Sequence, residues 1–410
     1  MKKISLIICV LFLSGAKLFN AHEFILDNGL RLIVVENNKA PIIKQMLWYN
    51  VGAADEQPTA KGSAHFLEHL MFRGSNFNEL TEKHGIEVNA FTGQDYTAYH
   101  EFMDISKLEL ALYLEAKRMK KLEFSDEEFA TEKEVVWQER KQVIENNPLS
   151  KFSEYFNKTF WQSHPYSEPI TGHGDEIKNL TKEDVMSLHN TYYVPNNATL
   201  VLAGNIKPEL ALSLVKKYFD KIPAKEVPTK KEYNSDYLSN ANFTMSIEGI
   251  NTPRFIKRFQ APKNSYALEL FAKYLTDGKT SYLYQKMIEK DKSALSISAS
   301  YNGLAKFGSS LSISATPIKK FDINKLIQEA LDNLDEKQLE NTKKKMTASF
   351  VFLKDNPSDE AYILGALASS GMSLEEIENY EQTINNVTLD DIKEVVTKML
   401  KYSSLQGEIK

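Results

Sequence analysis

The sequence predicts an α+β protein made of two related α/β halves. Three observations predict it. Strand-type and helix-type segments follow one another in the same order twice along the chain. Residues 221–231, rich in proline and lysine, lie between the two runs and read as a linker. The pattern Leu180-Thr-Lys-Glu-Asp-Val185 returns as Val387-Thr-Leu-Asp-Asp-Ile392, 207 residues later and close to half of the 410-residue chain. A capped helix start is a common local pattern, so this echo gains weight only from agreeing with the order of elements. The division expected is residues 22–220, a linker at 221–232, and residues 233–410.

The first 21 residues read as a signal peptide. Lys2 and Lys3 precede an apolar run from Ile4 to Leu13, too short to span a bilayer comfortably. Ser14-Gly15-Ala16 supplies the small residues a signal peptidase requires, so cleavage is expected after Ala16. Ala21 is a second site, with bulky Phe19 at its −3 position. The reading is an exported, periplasmic bacterial protein with no membrane span in its mature chain. Cys9, the one cysteine, falls in the leader and leaves the mature protein without disulfides. Fifty basic and 55 acidic residues give a net charge of −5, and loss of Lys2 and Lys3 takes it to −7. Nothing in that balance suggests a nucleic-acid partner.

Taken in order, Phe24–Leu26 and Leu30–Val35 are strands joined by Asp27-Asn28-Gly29, a hairpin signal. Ile42–Val51 is a further strand. A helix is expected from about Ala60 to Phe72, ended by Gly74. Val88–Met103 suits a hairpin turning at Thr92-Gly93-Gln94-Asp95. Ser106 with Glu109, and Ser125 with Glu128, read as capping boxes that open two helices. The second helix runs to Asn146-Asn147, where Pro148 stops it. Residues 197–204 close the first half as a strand. The second half repeats the mixture: strands near 240–250 and 253–260, helices near 264–290, strands near 294–315, then helices to about 401.

The chemistry concentrates in His65-Phe-Leu-Glu-His69, within the helix expected at 60–72. Histidines at i and i+4 share one helix face, so both imidazoles can reach one tetrahedral zinc ion. Glu68 sits beside them, where a carboxylate can take a proton from metal-bound water. On the helix opened by Ser125, one stripe carries Phe129, Glu132, Val136, Glu139 and Val143. Two carboxylates thus interrupt an otherwise apolar face, and burying either requires a cation or dense hydrogen bonding. A zinc site meets that need, with one glutamate ligating and the other accepting the free N–H of a ligand histidine. Spacing alone does not say which glutamate does which. His84, His100, His173 and His189 lack ligand spacing, and His164, before Pro165, reads as a loop residue.

These motifs resemble those of the insulinase/pitrilysin metallopeptidases, in particular their short, processing-peptidase-like bacterial branch. The resemblance runs through Asn28-Gly29-Leu30, Gly52-Ala-Ala-Asp-Glu56, His65-Phe-Leu-Glu-His-Leu-Met-Phe-Arg-Gly-Ser75, and Asn89-Ala-Phe-Thr92 ahead of Asp95-Tyr-Thr-Ala-Tyr99. It continues through Glu132–Arg140, His164-Pro-Tyr166, Tyr193-Val-Pro-Asn-Asn197 and the Leu283-Tyr284 region. It implies two sandwich halves, each an antiparallel-rich sheet covered by helices, together forming half of a peptidase chamber. It implies one zinc ion held by His65, His69 and Glu139, with Glu68 as general base and Glu132 beside the ligands. It makes Asn89 and Ala90 edge-strand positions that hold a substrate backbone by β-augmentation. The function implied is zinc-dependent endopeptidase action on unfolded or short peptides.

The second half departs from that pattern. The family places an arginine there and, seven residues later, a tyrosine that stabilises the oxyanion. Aligning Ser281–Met287 puts Ile288 and Leu295 at those places, and neither donates a hydrogen bond. The expectation is therefore a heterodimer with a homologous subunit that supplies the pair. The alternatives are a homodimer using Tyr282 or Tyr301, and a weak or inactive chamber subunit.

Overall fold

The computed structural model describes residues 17–73, 76–229, 233, 241–248, 250 and 252–409. The apolar leader, Cys9, Gly74 and part of the linker expected at 221–232 lie outside these residues. The strands of the first half are β1 (His22–Ile25), β2 (Arg31–Glu36), β3 (Ile42–Tyr49), β4 (Glu87–Thr92), β5 (Thr97–Asp104) and β6 (Ala198–Gly204). Its helices are α1 (Ser63–Leu70), α2 (Phe77–Lys83), α3 (Leu108–Lys120), α4 (Asp126–Arg140), α5 (Pro148–Trp161), α6 (Gly174–Asn179), α7 (Lys182–Tyr192) and α8 (Pro208–Phe219). The second half has β7 (Ala241–Met245), β8 (Arg254–Ala261), β9 (Ala294–Tyr301), β10 (Ser309–Pro317) and β11 (Ser404–Ile409). Its helices are α9 (Tyr266–Thr276), α10 (Ile323–Asp332), α11 (Glu336–Leu353), α12 (Pro357–Ser369), α13 (Leu374–Glu378), α14 (Tyr380–Asn386) and α15 (Leu389–Met399).

The two sheets share one topology. The first runs β1-β2-β6-β3-β5-β4, the second β7-β11-β8-β10-β9. Removing β1 superimposes the orders strand for strand. The single parallel pair occupies the same place in each, β2 with β6 and β7 with β11; every other pairing is antiparallel. The repeated sequence pattern marks equivalent helices. Thr181 caps α7 and Thr388 caps α15, each in a capping box closed by an aspartate, and each helix leads into the last strand of its half. The α+β class and the two related halves are therefore what the chain forms.

The halves are joined through a shared core. α12 of the second half lies across β3 and β6 of the first sheet, and Gly365 permits it. A Cβ there would meet Nε1 of Trp48 at 2.0 Å. Trp48, Ile33 and Val201 are buried in the same cluster as Leu268, Phe271 and Leu364. Leu18, Phe19 and Ala21 join that cluster, and the Glu378 carboxylate accepts the backbone N–H of Phe19 at 2.7 Å and of Ala21 at 2.8 Å.

Several local readings need correction. Ser106 does not cap a helix. Asp104 accepts the Ser106 N–H, a 3-10 turn follows, and α3 begins at Leu108 without a side-chain cap. Ser125 and Glu128 do form the reciprocal capping box. Beyond Arg140 the helix widens into an i→i+5 turn over 141–145, which carries Val143 off the apolar stripe and leaves it exposed. Pro148 both ends that segment and opens α5, where a missing N–H costs nothing. β11, absent from the sequence reading, lies between β7 and β8 in the second sheet.

Candidate active site

Both histidines are presented by α1, with their rings 4.8 Å apart. The helix start is fixed by Glu56, whose buried carboxylate accepts the N–H of Gly62 at 2.9 Å and of Ala64 at 2.7 Å. Its far end is fixed by Arg118, which reaches the Met71 carbonyl at 3.3 Å. That guanidinium lies over the rings of Phe77 and Tyr99 and is neutralised by buried Glu115 and Glu101. α1 is thus held at both ends by buried polar side chains. The equivalent helix of the second half, α9, carries no histidine and buries Leu268, Leu270, Phe271 and Leu275 instead.

α4 passes beside α1 and contributes both carboxylates. Glu139 Oε2 lies 3.6 Å from His65 Nε2 and 3.2 Å from His69 Nε2. Glu132 lies on the other edge of the His69 ring, with Oε1 2.8 Å from Nδ1, and its second oxygen accepts from Arg73 Nε. The carboxylate stripe therefore resolves into two positions. Glu132 is 3% exposed and fully partnered, whereas Glu139 is 39% exposed and faces the space between the imidazoles.

Glu68 projects from the same helix, and Thr92, the last residue of β4, donates its hydroxyl to Glu68 Oε2 at 2.5 Å. β4 is an edge strand of the first sheet and carries Asn89 and Ala90, whose outer flank pairs with no strand among the described residues. The Ala90 N–H is held by the Asn89 side chain at 2.8 Å.

Burial lowers the His65 imidazole to about 4, with the neighbouring His69 adding to the effect. Burial acts the same way on His69, yet hydrogen bonds to Glu132 and Glu139 outweigh it and raise that ring to about 9. Burial also raises Glu68 above the ordinary carboxylate range, against the Thr92 hydrogen bond. Glu139 is lowered chiefly by its hydrogen bond with His69.

Among the described residues, His65, His69 and Glu139 are the one group of three ligand-type side chains close enough to share an ion, with donor atoms within 4.8 Å of one another. Two imidazole nitrogens and a carboxylate oxygen are the donor set zinc favours. Donors about 2.0–2.1 Å from a tetrahedral zinc stand about 3.3 Å apart. The two separations from Glu139, 3.6 and 3.2 Å, bracket that value, while the three donor atoms together span up to 4.8 Å. The donor types fit the ion, and the histidine nitrogens would close on it when it binds.

Of the site residues expected from sequence, His65, His69, Glu139, Glu68 and Glu132 gather in one place, with Asn89 and Ala90 on the adjoining strand. Thr92, Arg73 and Glu56 were not singled out. Each lay inside a quoted motif, but its role depends on a partner distant in sequence. His164 is structural here: Nδ1 accepts the Tyr166 N–H at 3.1 Å and Nε2 meets the Phe307 carbonyl at 3.0 Å, tying the halves together.

Residues 32–174 match the family model described as insulinase (peptidase family M16), and residues 179–348 match the peptidase M16 inactive domain. The zinc protease PqqE of Helicobacter pylori is 30% identical over 290 residues, covering 67% of this chain and 65%, just under two thirds, of that protein's length. The uncharacterized zinc protease YmxG of Bacillus subtilis is 25% identical over 386 residues, covering 88% of this chain and 91% of that one. The crystal structure of a protease from Helicobacter pylori superposes with a TM-score of 0.87 at 24% identity, over 97% of this chain and 100% of the other. The periplasmic protease PqqL of Escherichia coli superposes with a TM-score of 0.77 at 17% identity, over 97% of this chain and 48% of that one.

Proposed function

From the premise that the chain belongs to the insulinase family of peptidases, family M16, we propose that it is an exported zinc-dependent endopeptidase acting on unfolded or short peptides. One observation carries this reading: His65 Nε2 and His69 Nε2 converge on a single Glu139 oxygen, with Glu68 on the same helix. His65, His69 and Glu139 would hold zinc, which supplies Lewis acidity and brings bound water toward a pKa of about 7.

The remaining work falls to the chain's own side chains. Glu68 accepts the proton of the attacking water and returns it to the leaving amine, and the Thr92 hydroxyl fixes the carboxylate oxygen nearest it. Glu132 accepts the His69 Nδ1–H, which would leave Nε2 to ligate the ion. The free flank of β4, with Asn89 and Ala90, receives an extended peptide as an added strand. Such binding reads backbone rather than sequence, which suits substrates without tertiary structure.

Export rests on the leader. Burial of Leu18 and Phe19, together with the Glu378 hydrogen bonds to Phe19 and Ala21, favours cleavage after Ala16, since cleavage after Ala21 removes that contact. No helix among the described residues is long and apolar enough to cross a membrane.

A second reading, a catalytically weak chamber subunit, is favoured by Ile288 and Leu295. Leu295 is 66% exposed on β9 and offers no hydrogen bond where the family has its oxyanion donor. The test is metal analysis with quenched-peptide hydrolysis on the wild type and Glu68→Gln. About one zinc per chain is expected in both, with hydrolysis in the wild type alone. Equal hydrolysis by both proteins removes Glu68 from the mechanism, and metal-bound chains without hydrolysis, even beside a homologue, select the second reading.

A further inference from the structure

Where the two halves meet, a cavity of about 790 Å³ opens between the second sheet, α5, α12 and the 93–96 turn. Arg258 lies in its wall. Ser312 is the direct cross-strand partner of both Arg258 on β8 and Ser300 on β9, and Arg258 Nε donates to Ser312 Oγ at 2.9 Å. One terminal nitrogen donates to Asn157 Oδ1 at 2.7 Å, and the guanidinium stands over the rings of Phe156 and Phe160.

No carboxylate faces this charge. Arg258 forms no ion pair among the described residues, and burial alone lowers it to about 10. Buried Arg118 and Arg140, by contrast, are paired with glutamates. The acid that does line the cavity, Asp95, is engaged elsewhere. Its oxygens accept the Tyr166 hydroxyl at 2.6 and 2.7 Å and the Lys306 N–H at 3.0 Å. A partly buried guanidinium beside hydroxyls and amides, with no internal anion among the described residues, is a site built for an anion from outside.

We propose that Arg258, with Ser312 and Asn157, anchors a carboxylate-binding subsite that recognises an acidic group of the bound peptide. That the ligand is a peptide rests on the peptidase reading; the anion site itself rests on Arg258. The cavity begins where β4 ends, since residues 93–96 follow Thr92 directly. A peptide laid along β4 therefore runs from Glu68 toward the cavity mouth. Either a C-terminal carboxylate or an acidic side chain supplies the shared chemistry.

The test uses the zinc-loaded full chain carrying Glu68→Gln, so that binding is read without hydrolysis. The probes are a fluorescent apolar heptapeptide with a free C-terminal carboxylate, its C-terminal amide, and the amide with one internal Glu. One or both acidic probes should bind roughly 10- to 100-fold more tightly than the plain amide. Which of them does so identifies the source of the carboxylate. Adding Arg258→Gln should bring the ratio close to one. If that variant does not fold, Asn157→Asp supplies an internal counter-ion with little change of shape and should likewise erase the preference. Equal binding of all three probes, or a preference that survives both substitutions, overturns the proposal. Failure of hydrolysis in the wild type leaves this measurement unaffected, so the two readings fail separately.

Discussion

Glu132 and Glu139 flank the same imidazole from opposite edges: Glu132 stands 2.8 Å from Nδ1 of His69, and Glu139 stands 3.2 Å from Nε2. The two carboxylates sit on one helix, two turns apart, yet they meet different atoms of that ring. Glu139→Ala should lower zinc content along with rate, because it removes a charge that faces both histidines. Glu132→Ala should retain detectable zinc and lose roughly 10- to 100-fold in rate, since the His69 ring loses its orienting acceptor. Zinc content measured beside kcat/KM decides this. Metal lost from the Glu132 variant and kept by the Glu139 variant reverses the assignment.

How much of this was legible in the sequence depended on distance along the chain. His65, Glu68 and His69 lie within one helical turn and a half, so their common face follows from the period alone. The stripe on α4 revealed two carboxylates on an apolar face but not their separation in role, which depends on how α4 crosses α1. Thr92, Arg73 and Arg258 act through partners between 24 and 101 residues away, and no spacing rule reaches them. The duplicated fold was visible through one capped helix. β11 was missed because Ser404–Ile409 is a six-residue run following a helix, though its buried Leu405, Gly407 and Ile409 alternate as a strand should.

Thr92 provides a sensitive check on the proposed general base, Glu68. Its hydroxyl donates to Glu68 from the end of an otherwise backbone-paired strand. Thr92→Val keeps the shape and the β-branch while deleting the donor. A hydrogen bond to a charged group contributes about 1.5–3 kcal/mol, so kcat should fall roughly 10- to 100-fold, with KM and zinc content little changed. Thr92→Ser should recover most of the loss. A rise in KM alone places Thr92 in peptide binding instead.

Glu56 makes stability depend on pH. Burial pushes its carboxyl up to about 8, against the pull of the Ala64 and Gly62 N–H groups and Lys61. Between the ordinary glutamate range and that value, the folded chain keeps a proton that the unfolded chain has released. Stability from this group is therefore complete at acid pH and is lost as pH rises toward 8. Chemical denaturation of metal-free protein between about pH 5 and 8 should show a downward slope that is flatter in Glu56→Gln. An identical slope in the variant assigns the titration to another buried group.

Assembly follows from what the second half lacks. The resemblance puts Ile288 and Leu295 where the family has a substrate-holding arginine and an oxyanion-binding tyrosine, and Tyr282 and Tyr301 are poor substitutes. The Tyr301 hydroxyl donates its one proton to the Pro262 carbonyl and accepts the Ser265 N–H at 2.9 Å. Tyr282 lines a different cleft, beside Lys286 and Asn333. A homodimer would bring the same two aliphatic side chains to each zinc site. A homologous partner carrying the arginine and tyrosine would supply what both lack. The purified chain alone should therefore hydrolyse peptides weakly, and a co-encoded homologue carrying that pair should raise kcat/KM by roughly 100-fold or more, the usual worth of an oxyanion donor. Replacing that partner tyrosine by phenylalanine should remove most of the gain. A single chain that reaches full activity, unchanged by the homologue, would mean that its own residues already stabilise the oxyanion.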